Sequence, residues 1–263
     1  MNKFKENKIF ELVKLLLATI PKVNFSIVGT ANKQDDSVVT NVDYEVNSIV
    51  ISKIKYLFGK EVPIISEEIE NDKDYINSCL HSDLCFVIDP IDGTMALCVG
   101  LNTCTISIGI MKHGIITDGI IYLIDKNEVI FTDGGDVFVF NSELSKPELF
   151  KKVKISFKDG LQPVSIASSL ARNGYNVRKP LFVINASVFS MYNTFKGIFE
   201  KSICRTKLWD ICACLAIGER LGCNFYRSDN MKKITCTNIL DFIELENERH
   251  ILSVGDLNIV TYS

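Results

Sequence analysis

Residues 104 to 140 constrain the fold more than any other stretch. The runs CTISIGIMKHG, IITDGIIYLID and EVIFTDGGDVFVF are β-branched and aromatic, cut by His-Gly, Asp-Gly, Asp-Lys-Asn and Gly-Gly turn signals. The pattern predicts an antiparallel meander, whose apolar face must be covered by other elements. Helical spacing supplies them. Phe10, Val13, Leu17 and Ile20 recur on one face of a first helix ended by Pro21, and Val42, Val46, Ile49, Val50 and Leu57 share a face of a second that starts near Thr40 and stops at Gly59. VPIIS and LCFVID read as short apolar strands. After about residue 150, strands over PVSIAS and PLFVINAS alternate with helices over SMYNTFKGIFEKS and WDICACLAIGERLG, and NIVTYS closes the chain as a strand. The expected class is mixed α/β (α+β). An N-terminal α+β lobe would span 1-150 and a smaller C-terminal α/β lobe 151-263.

Composition excludes several functions. With 47% hydrophobic and 23% charged residues over 263, the chain can bury a real core. A net charge of -3 and a pI near 5.7 give no basic stripe, so no nucleic-acid partner is expected. No stretch approaches the roughly 18 uninterrupted apolar residues of a membrane span, and Glu11 and Lys14 interrupt the N-terminal apolar segment. The nine cysteines form no C-x-x-C pair and several lie in apolar runs, which suits a reducing cytosol. The chain is therefore read as cytoplasmic.

Carboxylates gather at the ends of the predicted elements. Ser66, Glu67 and Glu68 follow one strand, and Asp89 and Asp92 in FVIDPIDGT follow another, where Pro90 and Gly93 are expected to form a tight turn that aims both aspartates at one spot. Oxygen donors so placed suit a hard cation such as Mg²⁺, and clustered carboxylates repel one another unless cations neutralise them. Gly93 and Thr94 then open a possible helix, whose first amides would hold a phosphate. Each signal also has a structural reading: a plain turn for DPIDG, a solvated loop for Glu67 and Glu68, a T-x-x-D capping box for Thr40 and Asp43, and an N-cap for Asp210.

Taken together, DPIDGT, the upstream KQDDSVVTNVD, PIISEE and LWDICA resemble, in order, the inositol monophosphatase superfamily. These are Mg²⁺-dependent, lithium-sensitive phosphomonoesterases that include inositol monophosphatases, 3'(2'),5'-bisphosphate nucleotidases and some fructose-1,6-bisphosphatases. The resemblance covers nearly the whole chain. It implies a layered αβαβα sandwich and two or three Mg²⁺ per site. Glu67, Asp89 and the Ile91 carbonyl would hold one ion, Asp89, Asp92 and Asp210 a second, and Glu67 a third, weaker one. Asp43 and Thr94 would orient and deprotonate a metal-bound water, with Glu67 also catalytic, and Gly93 and Thr94 would cradle the phosphate. A small phosphate ester is the implied substrate, and a homodimer stays open.

The substrate signals are mixed. Lys33 to Asp43 and the Ser before Glu67 look more like the bisphosphate nucleotidases, which favours 3'-phosphoadenosine 5'-phosphate. The acid that contacts inositol hydroxyls in the inositol enzymes aligns with Ile203. Met95, Ala96 and Leu97 match neither the Lys-Glu-Phe usual in the nucleotidases nor the Thr-Asn-Phe usual in the inositol enzymes, and INAS at 184 to 187 stands where the family usually has Gly-Ser. Arg205 and Lys207 could meet a second phosphate, or be solvated helix-flanking charges. Arg172, Arg178 and Lys179 are a second basic rim. Inositol-1-monophosphatase activity, or a protein- or RNA-associated regulatory role, is the alternative.

Overall fold

The computed structural model describes residues 7–27, 29–32, 38–70, 72–153, 155, 157, 161–167, 171, 179–246, 251–254 and 258–262. In chain order the first part holds α1 (Lys8–Thr19), β1 (Thr30–Asn32), β2 (Val38–Thr40), α2 (Asn41–Phe58), β3 (Ile64–Ser66), α3 (Lys73–Leu80), β4 (Cys85–Asp92) and α4 (Thr94–Cys98). The meander follows as β5 (Thr105–Lys112), β6 (Ile115–Leu123), β7 (Glu128–Asp133) and β8 (Asp136–Asn141), with β9 (Glu148–Leu149) at its edge. The remainder gives β10 (Val164–Ile166), β11 (Leu181–Val183), α5 (Ser187–Phe195), β12 (Lys201–Cys204), α6 (Leu208–Arg220), β13 (Cys223–Arg227), β14 (Lys233–Ile234), β15 (Glu244–Glu246), β16 (Ile251–Ser253) and β17 (Asn258–Tyr262).

Among the described residues, β3 to β9 make one sheet in sequential order and β11-β10-β12-β17-β13-β14 make a second. The first sheet is antiparallel except where β3 joins β4 in parallel. Its strands alternate between two apolar faces, because successive side chains of a strand point to opposite sides. Phe86, Ile88, Ile106, Ile108 and Ile110 pack with Leu12, Val13, Val46 and Val50 of α1 and α2. Cys85, Val87 and Met111 face the other way, into a core shared with Ile211, Cys212, Leu215 and Ala216 of α6. Helices therefore cover both faces of this sheet, in a mixed α+β architecture.

The fit of α6 on the sheet depends on two glycines. A Cβ at Gly109 would lie 2.1 Å from Cys212 Sγ, and one at Gly119 would lie 2.5 Å from the Ala213 carbonyl oxygen. The Asp118-Gly119 pair was expected to be a turn, yet it lies inside β6; the glycine serves helix approach rather than chain reversal. A second correction concerns SMYNTFKGIFEKS. The helix stops at Phe195, Gly197 takes φ +79°, and Lys201–Cys204 leaves as strand β12 between β10 and β17. The sequence reading also passed over β13, which pairs with β17. The expected ends of α2 stand: Thr40 caps it and Gly59 terminates it.

Candidate active site

Asp89 and Asp92 share one side of β4 because the strand is bulged. Asp89 sits opposite Ser107 and Asp92 opposite Thr105, so three steps on β4 match two on β5. Side chains alternate, and residues three apart would otherwise point to opposite faces; one extra residue restores them to the same face. This corrects the expected tight turn, since Pro90 and Ile91 remain in the strand. Gly93 then turns the chain into the short helix α4 at φ +92°, where a Cβ would lie 2.9 Å from the Ala186 side chain.

Asp92 also receives the start of α5. Its Oδ1 accepts the Ser187 amide at 2.8 Å, and its Oδ2 accepts the Val188 and Phe189 amides at 3.0 and 3.3 Å and the Thr105 hydroxyl at 3.2 Å. A carboxylate at a helix N-terminus satisfies amides that have no partner within the helix. Three of these donors crowd onto Oδ2 and one meets Oδ1, so one lone-pair direction of Oδ1 stays open to a cation. Local sequence carries no sign of this capping role, which joins residues about 95 positions apart.

Asp43 makes two separate sets of hydrogen bonds. Its Oδ2 accepts the Thr40 amide at 2.8 Å and the Thr40 hydroxyl, which completes the capping box of α2. Its Oδ1 accepts the Thr94 hydroxyl at 2.8 Å, and that hydroxyl also lies 3.1 Å from the Ile91 carbonyl oxygen. The two readings of Asp43 thus use different oxygens.

Asp210 arrives on the first turn of α6, at the third helical position rather than as the N-cap. The Lys207 amide donates to its Oδ2 at 2.8 Å. Ser107 Oγ donates to the neighbouring Trp209 carbonyl at 2.9 Å and pins this turn to β5. Glu67, just past β3, lies with its Oε1 3.9 Å from Lys207 Nζ. Glu67, Asp89, Asp92, Thr94, Lys207 and Asp210 all line one cleft of about 260 Å³.

Burial pushes Asp89 well above the usual carboxylate range, and the charges of Glu67, Asp210 and Asp92 push the same way. Burial likewise raises Asp92 to about 8, helped by Asp210 and opposed by its amide donors. Burial and Glu67 raise Asp210 to about 6, against the pull of the Lys207 amide and charge. Asp89, Asp92 and Asp210 each present an oxygen within 4.8 Å of the others. Hard oxygen donors this close, and this costly to ionise together, fit a divalent cation.

Not every expected residue meets the cleft. Arg205 is exposed and absent from the lining, while Ile203 is fully buried beside Val164 and Ile166. Arg172, Arg178 and Lys33 to Asp36 lie outside the described residues; Lys179 pairs with Glu200. Met95 and Asn185, both at positions where the sequence departs from the family pattern, line the cleft.

The profile of the Inositol monophosphatase family matches residues 3–240. The chain is 29% identical over 106 residues to the fructose-1,6-bisphosphatase/inositol-1-monophosphatase of Thermotoga maritima, which is 40% of this chain and 38% of that protein. It is 30% identical over 95 residues to the 3'(2'),5'-bisphosphate nucleotidase CysQ of Buchnera aphidicola, 36% of this chain and 34% of that one. These matches thus span little more than a third of each relative's length. In structure, a staphylococcal inositol monophosphatase-1 soaked in LiCl as an inhibitory complex superposes with a TM-score of 0.70 at 19% identity, over 95% of this chain and 87% of its own. An IMPase/NADP phosphatase complexed with Mg²⁺ and phosphate gives 0.70 at 18%, over 95% and 88%. Members of this family are metal-dependent phosphomonoester hydrolases.

Proposed function

We propose, from the premise that the chain belongs to the inositol monophosphatase family, that it is a Mg²⁺-dependent phosphomonoesterase acting on a small phosphorylated metabolite, with a 3'(2'),5'-bisphosphate nucleotide such as 3'-phosphoadenosine 5'-phosphate as the favoured substrate. The observation that carries the reading is the meeting of Asp89, Asp92 and Asp210 within 4.8 Å, beside the Asp43–Thr94 pair. Glu67, Asp89, the Ile91 carbonyl, Asp92 and Asp210 would hold two or three Mg²⁺. When bound, Mg²⁺ acidifies water, screens the phosphate charge and stabilises the leaving oxygen.

The protein's own groups divide the remaining work. Thr94 Oγ1 donates to Asp43 Oδ1, so its lone pair can accept from the attacking water; as the water oxygen bonds to phosphorus and the ester P–O bond breaks, the water proton passes to Thr94, the Thr94 proton to Asp43, and the leaving alkoxide takes a proton from solvent. The amides of Gly93 and Thr94 would steady the phosphate oxygens. Lys207, in the cleft wall, is placed to meet a second anionic group of the substrate, with Arg205 outside it as a lesser candidate.

The lean toward a bisphosphate is supported by Ser66 ahead of Glu67 and by Ile203, whose burial removes it from any contact with a polyol. Phosphate release from 3'-phosphoadenosine 5'-phosphate, inositol 1-phosphate and fructose 1,6-bisphosphate tests the reading. The bisphosphate nucleotide should be turned over fastest, Mg²⁺ should be required and lithium should inhibit. Robust turnover in EDTA would remove the mechanism, and preference for inositol 1-phosphate would remove the substrate.

A further inference from the structure

Lys207 is tied into the cleft at three points. Its amide holds Asp210 Oδ2 at 2.8 Å, its Nζ lies 5.3 Å from the centre of the Trp209 ring, and the same Nζ is 3.9 Å from Glu67 Oε1. The pair is not a solvated one: the Lys207 and Glu67 side chains are 27% and 16% exposed. Trp209 is itself only 7% exposed, so the ring is a fixed platform for the ammonium. A cation over an aromatic face, beside the Glu67 carboxylate, is held where a divalent ion serving Glu67 would also have to sit or pass.

We propose that the Lys207 ammonium is a built-in counter-ion of Glu67 that competes with divalent cations for that corner of the site, and so sets Mg²⁺ affinity below what the carboxylates alone would give. The inference rests on the reading of this cleft as a Mg²⁺ site. Two cations against one carboxylate edge repel each other, so ion entry at Glu67 must push the ammonium aside. Lys207 lines the cleft, and a displaced ammonium stays facing it, where the proposed second anionic group of the substrate would lie. Metal loading would thereby prepare the anion contact. The field of Lys207 on Asp210, which holds that carboxyl lower than burial alone would, is in keeping with this placement.

Calorimetric titration of the full chain with Mg²⁺ tests the proposal without reference to turnover. Lys207→Met removes the charge and keeps an apolar side chain beside Trp209; it should tighten Mg²⁺ binding by about two- to fivefold, a modest change because the ammonium and carboxylate stand 3.9 Å apart and both keep some contact with water. Lys207→Arg should stay close to wild type. Arg205→Gln makes the same charge change outside the cleft and should do distinctly less. In a Glu67→Gln background, the Met substitution should bring no further tightening. Binding that is unchanged or weaker in Lys207→Met, that tightens equally in Arg205→Gln, or that tightens equally without Glu67 would each overturn the competition. Should Lys207→Met not fold, Lys207→Gln reads the same comparison. Wild-type protein that takes up no Mg²⁺ would overturn the metal-site reading together with this one, whereas normal uptake insensitive to Lys207 overturns this one alone.

Discussion

Asp43 Oδ2 accepts from Thr40 and Oδ1 accepts from Thr94, so substitution can separate its structural duty from its proposed chemical one. An asparagine can keep its amide oxygen on the Thr40 N–H, and a weakened cap costs about 0.5–2 kcal/mol. It then turns its NH₂ toward Thr94 and offers no carboxylate to receive a proton. We expect Asp43→Asn to lower Tm by a few degrees at most while turnover falls by about 10²-fold or more. Thr94→Ala should be similarly slow, and the double variant hardly slower than either single one, because the pair acts as a unit. Melting curves and kcat for the three variants check this; early melting with normal turnover per folded molecule would confine Asp43 to the capping box.

At the scale of elements, the site exists only while α6 lies flat on β5 and β6. Gly109 and Gly119 allow that approach, and α6 carries Asp210 across to the end of β4. Gly119→Ala forces a methyl group 2.5 Å from a backbone oxygen, a contact that cannot be relieved by rotating a side chain. Overpacking of this sort costs typically about 1–3 kcal/mol. Urea unfolding should show a loss of that order, and Mg²⁺ affinity should fall with it as Asp210 moves from Asp89 and Asp92. The solvent-facing Gly135, with open space around its Cβ position, is the control and should tolerate alanine in both measurements.

Across the whole molecule, the carboxylate cluster should make stability depend on pH and on metal. Asp92 is raised to about 8, Asp210 to about 6 and Asp89 well above its ordinary value, so in metal-free protein they hold protons that the unfolded chain has already released. For groups raised in the native state, the favourable contribution is complete below the ordinary carboxylate pKa of about 4 and is lost as pH rises through the raised values. The Tm of chelator-treated protein should therefore fall between about pH 4 and pH 8. Saturating Mg²⁺ should flatten that slope and raise Tm at pH 8 by mass action. A Tm independent of pH and Mg²⁺ would contradict the shared burial of these acids. Local sequence determined what short-range physics encodes. Thr40, Asp43 and Gly59 bound α2 through contacts three to four residues apart; alternation of apolar residues specified the meander, and DPIDGT brought two of the clustered carboxylates in one stretch. Tertiary structure decided what depends on distant partners. Strand β12 forms where helical spacing appeared to continue, because β10 and β17 flank it; the bulge in β4 is defined only against β5; and Asp92 binds α5 from about 95 residues away. Periodicity reports which face of a segment is buried, but not which neighbour buries it, and the pairing of Lys207 with Glu67 or of Gly119 with α6 is a property of that neighbour.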